Sequence, residues 1–544
     1  MRSMILTLLT ILALSVTSAQ AARPQLVVAV SIDQFPYEYL ERMQAGFAPD
    51  GFFRRVLDQG ALYSQCHHGH AYTITGPGHS VLLTGTFPAQ TGIVENDWFN
   101  RVTGKRVYCV SDDDSPMIGA PGNGMSPKNL MVGTLGDVMK LTWSQSRVFG
   151  VALKDRASIL MTGHSADAAY WYHPNSGNWV TSKYYREDLP PFLRVYNESD
   201  ALEAYVGKSW ELLLPPDKYV LHYPDDAEFE NPNSSLGRAF PHPLPQQAGQ
   251  SYYDQVTKTP WGNDITLAVA KLLVMDEKLG LGPTPDLLAI NLSTNDYIGH
   301  AFGPYSLEVQ DVTYRTDRQL GQFVKFLEQH LDGRPWVLAL SSDHGVAPIP
   351  EHAKQLGLPA GRDPLGDMKA LQDELEAKLV AEFGTADKTY VQSFDYGDIY
   401  LRRELPQLQG DKFSAAQRLV RGWLVQHAAV GAAFTRDELL AGSAPGGIAL
   451  QFQRTFNAER SGDVLFALKP YLIPGKTPAT HGSPWKYDSH VPLAFVGPVV
   501  KAGRHLRPVT PAAMGPTLAR ILQIESPAAS AVEPLPEVFG RSNP

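Results

Sequence analysis

The chain has 544 residues, more than one hydrophobic core usually serves, so one large domain with insertions or two to three domains is expected. Hydrophobic residues at 43% and charged residues at 19% fit a globular protein and exclude global disorder. A net charge of −9 disfavours a nonspecific nucleic-acid binder, and no apolar run beyond the N-terminus has the length of a membrane span.

In chain order, the first feature is a leader. Arg2 supplies a positive start, residues 5–16 an apolar run, and Ala19-Gln20-Ala21 a small-x-small cleavage signal. Cleavage after about Ala21 and export to the periplasm or the medium are expected. Residues 25–32 form a continuous β-branched run, as expected of a central parallel strand, and Asp33 follows it. Cys66 and Cys109 could pair in an oxidising compartment or stay as two buried thiols. His67, His68 and His70 cluster ahead of residues 73–80, where Gly-Pro-Gly after Thr75 reads as a turn opening a helix. Trp98 and Phe99 could wall a pocket or pack a core.

Further strands are predicted over residues 147–153, 286–292, 336–340 and 491–496. Helical stripes lie between them: Ile265, Val269, Leu272 and Leu273, then Val312, Thr316, Leu320, Phe323, Val324 and Leu327, with Gly333 as a stop. This alternation predicts an α/β fold with a central, mostly parallel sheet flanked by helices on both faces. Residues 22–525 read as one catalytic domain. Two insertions interrupt it, at about 161–262, with Tyr170-Trp171-Tyr172, and at about 347–484, with a helical stripe at Met368, Leu371, Leu375 and Leu379. Both are expected to form a cap beside the site. Residues 526–544, rich in Pro, Ala and Ser, read as a loosely held tail, and no internal repeat is evident.

Ligands of α/β sheets sit beyond the carboxyl ends of the strands. Those ends carry Asp33, then Lys154-Asp155-Arg156, then Asp296 with His300 one helical turn on, then Asp343-His344, while His490 precedes the last strand. Aspartate with histidine suits zinc, and the six ligands Asp33, Asp296, His300, Asp343, His344 and His490 suit a pair of zinc sites with open positions. Thr75 at a helix N-terminus lies where amides and dipole favour an anion, and metal coordination would make its hydroxyl a usable nucleophile.

These motifs, taken with Thr75-Gly76-Pro77-Gly78-His79, Asn96 and Asp343-His344-Gly345, resemble the alkaline phosphatase superfamily. They are most similar to secreted bacterial alkaline phosphatases with a threonine nucleophile, relatives of type I phosphodiesterases and nucleotide pyrophosphatases. The resemblance spans about residues 25–524. It implies one zinc ion on Asp296, His300 and His490, and a second on Asp33, Asp343, His344 and the Thr75 oxygen. It implies that Asn96 donates to a phosphoryl oxygen and that Lys154 and Arg156 contact the others. No acidic cluster demands a third, magnesium site, and Lys154 would take that role electrostatically.

The expected activity is hydrolysis of small-molecule phosphate monoesters through a phosphothreonine intermediate. Lys154 and Arg156, two residues apart in an extended segment, would point the same way and favour the dianionic monoester. The alternative is a phosphodiesterase or nucleotide pyrophosphatase on the same metal core. A sulfatase lacks support because no Cys-x-Pro-x-Arg motif surrounds Thr75, and a non-catalytic metal-binding protein is the remaining class. No nucleic-acid polymer and, after cleavage, no membrane is expected as partner. A monomer or weak oligomer is expected.

Overall fold

A computed structural model describes residues 23–220, 222–230, 236–442 and 446–539. The leader lies outside the described residues. No helix among them is long and apolar enough to cross a membrane.

The centre is a ten-stranded sheet. In chain order its strands are β1 (Leu26–Ile32), β2 (Ala61–Tyr63), β3 (Met117–Ile118), β4 (Val148–Ala152), β5 (Ala168–His173), β6 (Asn178–Ser182), β7 (Asp286–Leu292) and β8 (Trp336–Ser341). After an inserted sheet come the last two, β13 (Leu493–Val496) and β14 (Gly503–His505). The order across the sheet is β14-β2-β13-β8-β1-β7-β4-β5-β6-β3. The middle five strands, β8, β1, β7, β4 and β5, are all parallel. β13 runs antiparallel to both β8 and β2.

The predicted strands owe their unbroken apolar character to burial on both faces. Leu26, Val28 and Val30 of β1 belong to one core, with Leu288 and Ile290 of β7 and Leu338 and Leu340 of β8. Their alternate neighbours Val27, Ala29, Leu287, Ala289, Val337 and Ala339 belong to the other. A strand covered on both sides cannot alternate in polarity. Helices Trp261–Asp276 and Leu307–Leu331 cover the first face through the two predicted stripes, in which only Leu272 is not fully buried. Thr75–Thr84 and Met514–Leu522 cover the second.

Two sequence expectations need correction. The stretch 161–262 is not one insertion: β5 and β6 lie within it and extend the central sheet, so Tyr170, Trp171 and Tyr172 are buried sheet residues. The tail is not loosely held where it is described. Leu535 and Val538 are buried in the second core, and Glu537 pairs with Arg507 and accepts from the Tyr63 hydroxyl. Its Pro and Ala content reads as disorder only if those two apolar residues are overlooked. Cys66 and Cys109 are unpaired and buried.

Within 347–484 the chain builds a second, four-stranded antiparallel sheet from β9 (Val391–Phe394), β10 (Asp398–Leu401), β11 (Val430–Thr435) and β12 (Val464–Leu468), in the order β9-β10-β12-β11. The helices Met368–Phe383 and Asp411–Gln426 pack on it around a separate core that includes Leu375, Leu379, Val420 and Phe466.

Candidate functional site

The site forms at the carboxyl ends of β1, β7 and β8. Asp33 follows β1. Asp296 and His300 lie one turn apart on the helix Thr294–Phe302 that follows β7, and Asp343-His344 follow β8 on a bend. All but His300 are buried. Asp33 Oδ1 lies 3.5 Å from His344 Nε2, which is 3.2 Å from Asp343 Oδ2, and His300 Nε2 lies 3.2 Å from Asp296 Oδ1. Two groups have all their ligand atoms within 4.8 Å of one another: Asp33, Asp343 and His344, and Asp296, His344 and His481.

His481 occupies the place that the sequence reading assigned to His490. Its ring stacks on His344 with centroids 3.4 Å apart, and its Nε2 lies 3.6 Å from Asp296 Oδ1. His490 sits outside the cluster. Its Nε2 is bonded to the Ser64 carbonyl and its ring stacks against His67 and Tyr37. The three histidines of the cluster share one arrangement. The Nδ1 of His300, His344 and His481 is bonded to the carbonyl of Ala479, Gly345 and Thr73 respectively. A carbonyl only accepts, so each Nδ1 carries the proton and each Nε2 presents a lone pair to carboxylates. That is how a metal-binding imidazole is set, and the bond at the His490 Nε2 forbids it there. The signal for His481 lay only in its being another histidine of the 470–490 loop.

The cluster is short of positive charge. Asp33 Oδ1, Asp343 Oδ2 and His344 Nε2 are buried and lack hydrogen-bond partners among the described residues. Burial, Asp343 and Asp296 push the Asp33 carboxyl well above the usual carboxylate range, although Lys154 opposes them. Against burial, Asp343 and Asp33 raise the His344 pKa to about 9, so the carboxylates draw a cation to its Nε2, either a proton or a metal that displaces it. Buried carboxylates facing imidazole lone pairs, with orphaned ligand atoms, are a donor set for hard to borderline divalent cations, zinc among them.

Gln34, which the sequence reading passed over, ties this half together. It is buried at a left-handed φ of 57°. Its backbone N–H donates to Asp343 Oδ1 at 3.1 Å and its Nε2 to Asp296 Oδ1 at 2.9 Å. Asn295 Nδ2 donates to the carbonyls of Asp33 and Gln34, holding that turn. A β-carbon on Gly299 would fall on the Gln34 side chain, which accounts for the glycine before His300.

The other half brings in the groups suited to an anion. Thr75 is the first residue of the helix Thr75–Thr84 and is 2% exposed. Its Oγ1 lies 3.4 Å from Arg156 Nη2. Asn96 Oδ1 accepts from the Gly76 N–H at 2.7 Å, so what Asn96 can offer an anion is its Nδ2. Lys154 Nζ is buried between Asp296 Oδ2 at 2.5 Å and Asp33 Oδ2 at 2.8 Å. Lys154 and Arg156 do not share an extended segment. Lys154 is the extended cap of the helix Asp155–Thr162, and Arg156 lies in its first turn. The two cations therefore reach the site by different paths. Arg156 is aimed by Tyr108, whose hydroxyl accepts from Nη1 at 3.1 Å and donates to Asp155 Oδ1 at 2.5 Å.

His79 links Thr75 to the carboxylates. Ser293 Oγ donates to Asn291 Oδ1, so the Asn291 amide donates to His79 Nε2 at 2.8 Å. The His79 proton is then on Nδ1, 2.9 Å from the Thr75 carbonyl and 3.3 Å from Asp343 Oδ2. Glycine at position 78 is required: a β-carbon there would lie 2.2 Å from the Asp343 carbonyl oxygen. His68, in the histidine cluster ahead of Thr75, bonds the Ser342 carbonyl, and His67 stacks on His490.

Known proteins are similar to this chain in both sequence and fold. The family model "Type I phosphodiesterase / nucleotide pyrophosphatase" matches residues 27–380, and the chain belongs to that family. Within it, the chain is 32% identical to alkaline phosphatase PafA of Elizabethkingia meningoseptica over 95% of each chain. It is 34% identical, over 96% of each, to a Myroides odoratus protein named calcium-transporting ATPase. The crystal structure of wild-type PafA superposes with a TM-score of 0.87 at 31% identity, covering 96% of this chain and 100% of that one.

Proposed function

We infer that this chain is an alkaline phosphatase, hydrolysing phosphate monoesters with Thr75 as nucleophile. The observation that carries the reading is the position of Thr75, whose hydroxyl lies 3.4 Å from the Arg156 guanidinium and whose backbone carbonyl is bonded by His79, itself 3.3 Å from Asp343 of the Asp33–Asp343–His344 group. Its full-length similarity to PafA supports the phosphatase class. Asp296, His300 and His481 would hold one zinc ion, and Asp33, Asp343, His344 and the Thr75 oxygen a second. Zinc bound there supplies Lewis acidity, which lowers the pKa of a hydroxyl and draws charge from a departing oxygen.

The residues of the chain do the rest. Thr75 Oγ1 forms a bond to phosphorus as the ester oxygen departs, giving phosphothreonine, and water then releases phosphate and restores the hydroxyl. Arg156 and Asn96 Nδ2 bind the nonbridging oxygens, where a monoester carries the most charge. Lys154 adds positive charge beside Asp33 and Asp296 without a third ion. The leader pattern supports a periplasmic or secreted location. Residues 22–525 act as one catalytic domain on which the 347–484 insertion forms a wall.

A phosphodiesterase is the second reading, favoured by the matched family description. The name of the Myroides odoratus relative points to nucleoside triphosphates as a further substrate worth including. The deciding experiment is turnover of a monoester, a diester and a sulfate ester sharing one leaving group, together with ATP, on metal-quantified protein. Monoester turnover well above the others is expected, and preferential diester turnover would replace this reading with the second.

A further inference from the structure

Next to the cluster lies a cavity of about 220 Å3 that the chemistry above leaves without a role. Its near wall comes from Tyr72 and Ile74 of the central domain with His481 at the end of the insertion, and its far wall from Tyr396 and Leu472 within the insertion. The walls are fixed. The Tyr72 hydroxyl donates to the Gly397 carbonyl at 2.5 Å, so its ring is pinned to the inserted sheet. His481 is held by the Thr73 carbonyl and by stacking on His344. Two carboxyl groups line it: Glu95, which is raised well above the usual carboxylate range by burial and by the neighbouring Asp398, and Asp488. Asp488 is 1% exposed and lines the cavity; its Oδ2 accepts from the Ser483 N–H and hydroxyl, while its Oδ1 has no partner among the described residues.

The location gives this cavity its meaning. In-line displacement places the leaving oxygen opposite the attacking one. On the phosphatase reading the Thr75 oxygen belongs with Asp33, Asp343 and His344, so the leaving group departs toward the other set, Asp296, His300 and His481. His481 is also part of the cavity wall. An apolar space of about 150 Å3 is enough to hold a benzene ring, so the cavity suits a single ring and is small for a polymer. Tyrosine faces and a leucine side chain favour an aromatic ring, and the unpartnered Asp488 oxygen favours one carrying an N–H or O–H donor.

We propose that this cavity is a leaving-group subsite that takes the ring of aryl phosphate monoesters, with the insertion present to supply its far wall. The proposal rests on the phosphatase reading above and names the substrate class of the same site. Tyr396 and Leu472 are specificity residues here. Both are only partly buried and belong to neither the metal-binding nor the anion-binding set.

The test compares phenyl phosphate with methyl phosphate in the full-length, metal-loaded protein and in the variants Tyr396→Ala, which removes a wall, and Leu472→Trp, which fills the space. KM for phenyl phosphate is expected to rise roughly threefold to tenfold in each variant, the worth of an aromatic contact. kcat/KM for methyl phosphate should stay within about twofold of the parent and so also reports that the variant is folded. Inhibition gives a reading independent of chemistry: phenylphosphonate should bind the parent protein more tightly than methylphosphonate, and the variants should lose that difference. Equal losses for the two esters, or equal inhibition of the parent by the two phosphonates, would overturn the subsite while leaving the phosphatase reading intact. If the parent hydrolyses neither ester, the phosphatase reading fails and the subsite falls with it.

Discussion

At the scale of single residues, Thr75, His481 and the two cations carry the sharpest expectations. Thr75→Ala removes the oxygen proposed to bond to phosphorus, and turnover should fall by orders of magnitude with the fold retained. Thr75→Ser keeps an oxygen at the same helix position and should keep substantial turnover. Steady-state kinetics beside circular dichroism check both, and near-normal turnover in Thr75→Ala would exclude the assignment. His481 and His490 make a paired test. His481→Ala should lower bound metal and activity together, because its Nε2 faces Asp296. His490→Ala should leave bound metal at the parent level, because its Nε2 is committed to Ser64. Metal analysis of both purified variants decides between them. Lys154→Ala and Arg156→Ala should each lower monoester kcat/KM by roughly tenfold to a hundredfold, the worth of one charge-assisted hydrogen bond, and diester kcat/KM much less. For Lys154 the metal content must be followed as well, since its ammonium also offsets Asp33 and Asp296.

At the scale of elements, the helix Thr75–Thr84 matters because its backbone passes close to the Asp343 carbonyl. Gly78→Ala would place a methyl group within van der Waals overlap of that oxygen, and backbone is hard to displace. A loss of about 1–3 kcal/mol is expected, as in overpacked cores. It should appear as a lower Tm with an even larger loss of activity, because the helix carries Thr75. The C-terminal segment is the other element with a checkable role. Truncation after Pro534 would expose the sites of Leu535 and Val538, each worth about 1.5–3 kcal/mol of burial. It would also remove the Glu537 partner of Arg507. Thermal unfolding should therefore shift clearly downward, whereas a tail that packed against nothing would be lost without effect.

At the scale of the whole molecule, the carboxylates arrive from three separate strand ends and are buried together. Asp33, Asp296 and Asp343 repel one another where solvent cannot screen them, and Lys154 offsets only part of that charge. Cations bound there stabilise the folded chain by mass action as well as supplying chemistry. Chelation should therefore abolish activity and lower Tm, and added zinc should restore both. Loss of activity with an unchanged Tm would mean that the cluster is stable without a metal. The inserted sheet has its own core and meets the central domain beside the cluster, which gives it the place of a wall rather than a second catalytic unit.

Much of this was legible in the primary structure. The five predicted core strands were readable because strands covered on both faces must be continuously apolar, and the fold class followed from their alternation with helical stripes. The clustering of Asp33, Asp296, Asp343 and His344 was readable because each stands within about four residues of such a strand's carboxyl end, and that of His300 because it follows Asp296 by one helical turn. What the sequence could not convey arises where residues are placed by loops or by distant packing. His481 and His490 are equally plausible on paper, and only the direction of each ring, set by the carbonyls of Thr73 and Ser64, separates them. Gln34 carries no motif; its role comes from a left-handed turn that aims two donors at carboxylates contributed by two other strands. Arg156 turned out helical rather than extended, because the chain starts a helix at Asp155 as soon as it leaves the sheet. Residues whose work is fixed by their own strand or helix could be read in one dimension, while those positioned through contacts hundreds of residues away were decided only by the tertiary fold.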